Sequence, residues 1–217
     1  MLGLSMQDCV MAPGSATLFD RWSASYDRPG FQNATYRPVH DAVLKRLAAE
    51  RPGVIVDLGC GTGQLTRRLM ERYPDAQVVG VDYSNGMLSE AGDRIGAGVL
   101  LMQADAQQLP LRSGSADLVV CTESFHWFRD QAGAAAGLAD LIRPGGQLVI
   151  ASIAAVTDLG EFAVRRVSGS GGQPIRALTP HRLKRLLGNA GFDVVAQRRV
   201  QRAGFVPWPV LTDARRR

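Results

Sequence analysis

The 217 residues are 46% hydrophobic and 21% charged, ordinary values for a globular chain large enough to bury a core. No apolar run approaches the roughly 20 residues of a membrane span, and no basic residue precedes Arg21 as a secretory signal would require, so a cytoplasmic setting is expected. The net charge of +5 is uneven: residues 161 to 217 hold 12 Arg or Lys against 3 Asp or Glu, a skew compatible with an anionic partner or with a solvated face and a frayed Arg215-Arg216-Arg217 end.

Residues 1–16 mix Gly, Pro, Ser and Met without periodicity and are expected to form a loose start, leaving 17–217 as one domain. Within it, 17–50 reads as a lid and helices, 51–153 as a ligand-binding core, and 154–217 as a substrate-side segment ending in a hairpin. Phe19, Trp22 and Tyr26, spaced by three and four, share one helical face. A helix is expected from Arg37 to Ala49, with Val39, Val43, Leu44 and Leu47 on its apolar side.

Next comes the most informative stretch. Val54-Ile55-Val56-Asp57-Leu58 is a short β-branched run, Gly59-Cys60-Gly61-Thr62-Gly63 is glycine-rich, and Leu65, Leu69 and Tyr73 repeat at helical spacing. This order reads as strand, tight turn and helix. Glycine tolerates positive φ and lets a ligand lie against bare backbone, and the helix start offers unpaired N–H groups. A dinucleotide fingerprint would place its third glycine at position 64, where this chain has Gln64, so a nicotinamide cofactor is disfavoured. Asp57, two residues ahead of Gly59, suits a ligand bearing an ammonium group.

A second strand is expected over Gln77 to Val81, ending in Asp82, which follows Gly63 by 19 residues. That is close to the spacing at which an acid meets a ribose hydroxyl in Rossmann-like sheets. Ser84 then caps a helix bearing Met87, Leu88, Ala91 and Ile95. Val99 to Gln103 is the third strand, followed by Asp105 and Ala106, and Asp117 to Cys121 is the fourth, followed by Thr122-Glu123-Ser124-Phe125-His126-Trp127-Phe128. An alanine-rich helix should stop at Arg143-Pro144-Gly145-Gly146 with a left-handed glycine cap, before a fifth strand from Gln147 to Ile153. From Ala154 to Leu178 the pattern is poor. Thr179-Pro180 opens a helix bearing Leu183, Leu186 and Leu187 that Gly191 closes. Phe192 to Val200 and Phe205 to Leu211 form the hairpin, with Pro207 and Pro209 demoting the latter to an interrupted edge strand.

The Asp57–Gly63 stretch resembles motif I of class I S-adenosylmethionine-dependent methyltransferases. Phe19-Asp20-Arg21-Trp22 with Tyr26-Asp27, and Leu141-Ile142-Arg143-Pro144-Gly145-Gly146 ahead of a β-rich run, are similar to flanking features of that family. The resemblance implies an α/β fold with sheet order 3-2-1-4-5-7-6, strand 7 antiparallel, and helices on both faces. It implies S-adenosylmethionine as donor, held by Asp57, Gly59, Cys60, Gly61 and Gly63, by Asp82, Tyr83 and Met87, by Asp105 and Ala106 around the adenine, and by Thr122 and Glu123 beneath the methionine end. It also implies that the Phe19–Tyr26 segment closes over the donor, where an aromatic ring would favour a sulfonium.

Methyl transfer from a sulfonium needs alignment more than side-chain chemistry. His126, just past strand 4, is the candidate base because histidine titrates near neutrality, with fixing of the local turn as its other reading. Tyr26 is the second acceptor-side candidate. The expected activity is methylation of O or C of a small-molecule metabolite. An RNA or other nucleic-acid methyltransferase is the enzyme alternative, although no aromatic residue interleaves Arg198, Arg199 and Arg202 as a base-stacking platform would require. A donor-binding regulatory or interaction protein without turnover is the alternative from another class. Cys9, Cys60 and Cys121, like His40, His126 and His181, are scattered, so neither a disulfide framework nor a metal site is expected.

Overall fold

The computed structural model describes residues 19–20, 23, 34–169, 174–201 and 208–217. In chain order the elements are α1 (Arg37–Arg46), β1 (Val54–Leu58), α2 (Gln64–Arg72), β2 (Gln77–Asp82), α3 (Asn85–Ile95), β3 (Leu100–Gln103), β4 (Ala116–Thr122), a 3-10 turn (Phe125–Trp127), α4 (Gln131–Leu141), β5 (Ile142–Ile153), α5 (Asp158–Gly169), α6 (Pro180–Asn189), β6 (Phe192–Arg199) and β7 (Pro209–Arg216). The seven strands form one sheet in the order β3-β2-β1-β4-β5-β7-β6. β1 to β5 pair in parallel, and β7 runs antiparallel to both β5 and β6.

Period-two alternation explains how one sheet serves two cores. Val56, Val79, Val119, Cys121, Leu148 and Ile150 pack on one face with Leu138 of α4 and Leu183 and Leu187 of α6. Their immediate neighbours Ile55, Val78, Leu118, Val120 and Val149 pack on the other with Val39 and Val43 of α1 and Leu65 and Leu69 of α2. Adjacent strand residues point to opposite faces, and a parallel sheet covered on both sides reads as a continuous apolar run. Each such side chain contributes about 1.5 to 3 kcal/mol when fully buried.

Several local expectations hold. Ser84 Oγ accepts from Met87 N at the start of α3, and Thr179 Oγ1 accepts from Arg182 N at the start of α6. Others are corrected. The first helix ends at Arg46, with Leu47 to Ala49 in a turn. The alanine-rich helix needs no glycine cap, because Ile142 after Leu141 is already extended and opens β5. Gly145, at φ +75, instead lies within β5, between Ile142 and Gln147, where the β4 pairing shifts register. The poorly patterned segment after Ala154 contains α5.

The largest correction concerns the C-terminus. The final strand is neither interrupted nor at an edge: Pro209 occupies its first position, where the missing N–H is tolerated, and the strand continues to Arg216 between β5 and β6. The Arg215-Arg216-Arg217 end is correspondingly not frayed. Arg215 pairs with Glu50, Arg216 Nε donates to Ala139 O, and Arg217 pairs with Asp193. Asp213 is buried in the middle of β7 and accepts from Arg46 Nε and Gln147 Nε2. Part of the basic skew is therefore taken up by contacts that hold the C-terminal strand. The first sixteen residues, Trp22, Tyr26 and residues 202–207 lie outside the described residues.

Candidate functional site

The turn after β1 sits at the C-terminal end of the parallel strands, where open α/β sheets bind ligands. Gly59 N and Cys60 N both donate to Val81 O, at 2.7 and 3.0 Å, tying the loop to β2. The three glycines serve three separate needs. A Cβ at Gly59 would stand 2.1 Å from Ser124 Oγ, whose hydroxyl donates to Gly59 O. One at Gly63 would stand 2.7 Å from Ile95 Cδ1 and 3.0 Å from Ala91 Cβ, where α2 approaches α3. Only at Gly61, with φ +54, would a Cβ meet nothing within 4 Å. The open wall of the cradle is thus Gly61.

Ser124 escaped notice in the sequence because its partner lies 65 residues away. Gly59→Ala should destabilise the protein by about 2 to 4 kcal/mol in urea unfolding, through left-handed backbone strain and the clash with Ser124. Adding Ser124→Gly should return the clash portion. Equal losses with and without Ser124 would show that the close approach does not decide this position.

Two carboxylates meet at the cradle. Asp57 is wholly buried; its Oδ2 accepts from Thr66 Oγ1 at 2.7 Å, and its Oδ1 has no hydrogen-bond partner among the described residues. Burial first, and the nearby Asp82 charge as a lesser cause, push its pKa up to about 7. Asp82 Oδ2 accepts from Gly61 N at 2.8 Å and Oδ1 from Ser84 N at 2.9 Å, and burial raises its pKa as well. A buried oxygen lacking a donor at the end of β1, with Asp82 against the open Gly61 backbone, fits a cationic ligand with a sugar-like hydroxyl edge.

The remaining candidates border this centre. Ala104 N donates to Asp82 O, and Gln103 Nε2 donates to Tyr83 O at 3.1 Å, so the loops after β2 and β3 are stitched together. Asp105 Oδ1 accepts from Gln107 N at 2.9 Å, with Ala106 and Met87 buried. Beyond buried Thr122, Glu123 has φ +53, the sole positive value for a non-glycine among the described residues. Such strain persists where surrounding structure enforces it, commonly at functional sites; here Glu123 N donates to Ala151 O at 2.7 Å. Cys60 is buried, and burial raises its thiol pKa well above the usual value.

The lead-in segment joins the two rims. Asp20 Oδ1 accepts from Ser84 Oγ and from Gly86 N, and Phe19 packs edge-on against Trp127 with ring centroids 5.6 Å apart. Asp20 was not among the expected site residues; its partners Ser84 and Gly86 lie more than sixty positions away. His126 is buried, its Nδ1 lies 2.9 Å from Ser152 Oγ, and its carbonyl accepts from Arg176 N at 2.8 Å. Tyr26, the other acceptor-side candidate, lies outside the described residues.

Residues 56–150, from the middle of β1 to the middle of β5, match the family model described as a methyltransferase domain. Together with the sheet order, this decides the family. The chain belongs to the class I S-adenosylmethionine-dependent methyltransferases. Among methyltransferase relatives, it is 42% identical over 113 residues to malonyl-(acyl-carrier protein) O-methyltransferase of Geobacter sulfurreducens, covering 50% of this chain and 41% of that protein. It is 40% identical over 121 residues to trans-aconitate 2-methyltransferase of Deinococcus radiodurans, covering 55% and 45%. The match therefore spans less than half the length of these relatives. The magnesium protoporphyrin IX methyltransferase of Synechocystis PCC 6803, solved with bound S-adenosylhomocysteine, superposes with a TM-score of 0.71 at 24% identity, covering 93% of this chain and 95% of that one. At that identity the likeness concerns the fold.

Proposed function

We propose that this methyltransferase chain moves a methyl group from S-adenosylmethionine to an oxygen or carbon of a small molecule. The observation that carries the reading is Asp57 Oδ1 in β1, buried and without a partner among the described residues, two residues ahead of a turn whose Gly61 wall is open. A carboxylate so placed costs stability unless a cation joins it, and the amino group of the donor is such a cation. In this reading Asp82 accepts from the ribose, Asp105 and Ala106 border the adenine, and Thr122 and Glu123 lie under the methionine end. The bound donor supplies a methyl already activated on a sulfonium. What the chain adds is alignment and exclusion of water, with Phe19 and Trp127 covering one side.

His126, fixed by Ser152, and Tyr26 are the acceptor-side residues of the same proposal. Small-molecule methylation is supported by the two relatives, whose names specify malonyl-(acyl-carrier protein) and trans-aconitate as acceptors. A cytoplasmic setting suits Cys60 and Cys121, which are buried free thiols. The direct test is calorimetric titration with S-adenosylmethionine, S-adenosylhomocysteine and NADH. Micromolar binding of the first two with no heat from NADH is expected. Binding of neither sulfur compound would overturn the proposal.

A further inference from the structure

Helix α5 is attached to the fold along one side. Gly160, Glu161, Val164 and Ser168 are partly buried. Glu161 accepts from Thr179 N and pairs with Arg182 of α6, and Ser168 Oγ accepts from Ile175 N at 2.7 Å. The opposite side is open. Leu159 is 78% exposed, Phe162 63% and Val167 74%, and Val156 just ahead of the helix is 77% exposed. These four are the majority of the seven exposed large apolar side chains among the described residues. Single exposed apolar residues need no explanation, whereas a contiguous patch marks a contact surface.

Helical spacing arranges the open side in two rows. Residues four apart form a ridge on a helix, so Asp158, Phe162 and Arg166 make one row and Leu159, Ala163 and Val167 the next. An open groove of about 660 Å³ runs between them, lined by Phe162, Ala163, Arg166 and Val167. Such grooves are what the side chains of a second helix fill, and Ala163, midway along its row, lets that helix come close. The first row also carries charge in order: an acid in the first turn of the helix, Phe162 in the middle, a base in the last turn. Neither Asp158 nor Arg166 forms an ion pair among the described residues. Arg165 stands at the margin of the face, outside both rows.

The order of charge selects the occupant. A helix lying antiparallel across Phe162 must present a base to Asp158 and an acid to Arg166, each four residues or about 6 Å from the centre. Helix α5 itself meets that specification. Turned about a two-fold axis at Phe162, it sets Asp158 against the partner's Arg166 and Arg166 against the partner's Asp158. The second row interdigitates in the same register, with Leu159 falling between the partner's Ala163 and the partner's Val167. A parallel pairing would instead set acid on acid and base on base, which is repulsive. We infer that α5 is the contact of a symmetric dimer, in which a second copy of this chain lies antiparallel along the Asp158–Phe162–Arg166 row. An isologous contact of this kind needs one self-complementary patch. The apolar side chains expose on the order of 500 Å² per copy, so a pair covers about 1,000 Å², the size at which specific interfaces begin.

The test is sedimentation velocity of the full chain over a range of concentrations. The native protein should form a dimer with a micromolar dissociation constant. Phe162→Glu, which sets two acids on the axis, should leave a monomer at every concentration with an unchanged circular dichroism spectrum. Asp158→Arg and Arg166→Asp should each weaken the dimer at least tenfold, because each opposes like charges at both ends of the contact. Their combination restores opposite charges and should return the dissociation constant to within threefold of native. A native protein that stays monomeric overturns the inference, and so does a dimer that survives Phe162→Glu. A double variant as weak as the single ones overturns the antiparallel pairing. Binding of phosphatidylglycerol vesicles that Phe162→Glu abolishes, by a chain that remains monomeric, would give the patch to a membrane instead.

Discussion

Asp57→Asn is expected to weaken S-adenosylmethionine binding by about 2 to 3 kcal/mol, roughly 30- to 150-fold, the range for a hydrogen bond to a charged partner. Asparagine keeps an oxygen for the Thr66 hydroxyl but presents no charge to the donor's amino group. The effect should depend on pH in a direction fixed by the raised pKa. In the free protein Asp57 titrates at about 7, so below that value the group must release a proton before it can meet a cation. Donor affinity of the native protein should therefore climb as pH rises towards about 7, and fall again only as the donor's own amino group loses its proton at about 8. In Asp57→Asn it should be flat over the same window. An affinity unaltered by the substitution, or a pH dependence that survives it, would remove Asp57 from the donor site.

The same shift acts on stability with the opposite sense. A carboxyl whose pKa rises from 3.8 to about 7 on folding favours the folded state fully below 3.8, and that advantage is lost as pH rises through about 7. Its size is on the order of 4 kcal/mol. His40 on α1 opposes it. Burial, with repulsion from Arg68, lowers its pKa from 6.5 to about 4, so its contribution is present above 6.5 and is lost as pH falls through about 4. The two slopes nearly cancel in the free protein. Asp57→Asn should unmask the His40 slope, giving a midpoint of thermal unfolding that rises steadily from pH 4 to 6.5. A donor site built on a strained, desolvated carboxylate thus stores a cost in the empty protein that ligand binding relieves.

Gly61→Val is expected to abolish donor binding, by more than 100-fold as read by calorimetry, while the protein remains folded. Space is not the obstacle in the empty site, because a Cβ there meets nothing within 4 Å. The obstacle is twofold: the branched side chain fills the opening through which backbone meets ligand, and φ +54 is poorly tolerated by a β-branched residue. Such strain costs about 1 to 3 kcal/mol, which lowers the unfolding midpoint without dissolving a sheet held by two apolar cores. Cooperative unfolding together with lost binding would place the ligand at this turn. Binding within twofold of the native protein would mean that the cradle faces something else.

What the sequence determined by itself was local in origin. Val54–Leu58, the alternating glycines, the acid after each strand and the caps at Ser84 and Thr179 are all legible because strand period, helix period and capping involve neighbours a few residues apart. Their order along the chain carries the resemblance to class I methyltransferases, and it was that resemblance that implied the strand order and the donor class. Tertiary structure decided the rest, because each remaining feature joins residues far apart in the chain. Gly59, Gly61 and Gly63 look alike in sequence, and only Ser124, Ile95 and Ala91 reveal that two of them serve packing and one serves the opening. The terminal arginines read as a charged fray until β5 and β6 enclose their strand and Glu50 and Asp193 meet them. Helix α5 hid for a related reason. Its apolar side faces out and its anchors are a glutamate and a serine, so the residues that usually announce a buried helical face were absent from the side that packs.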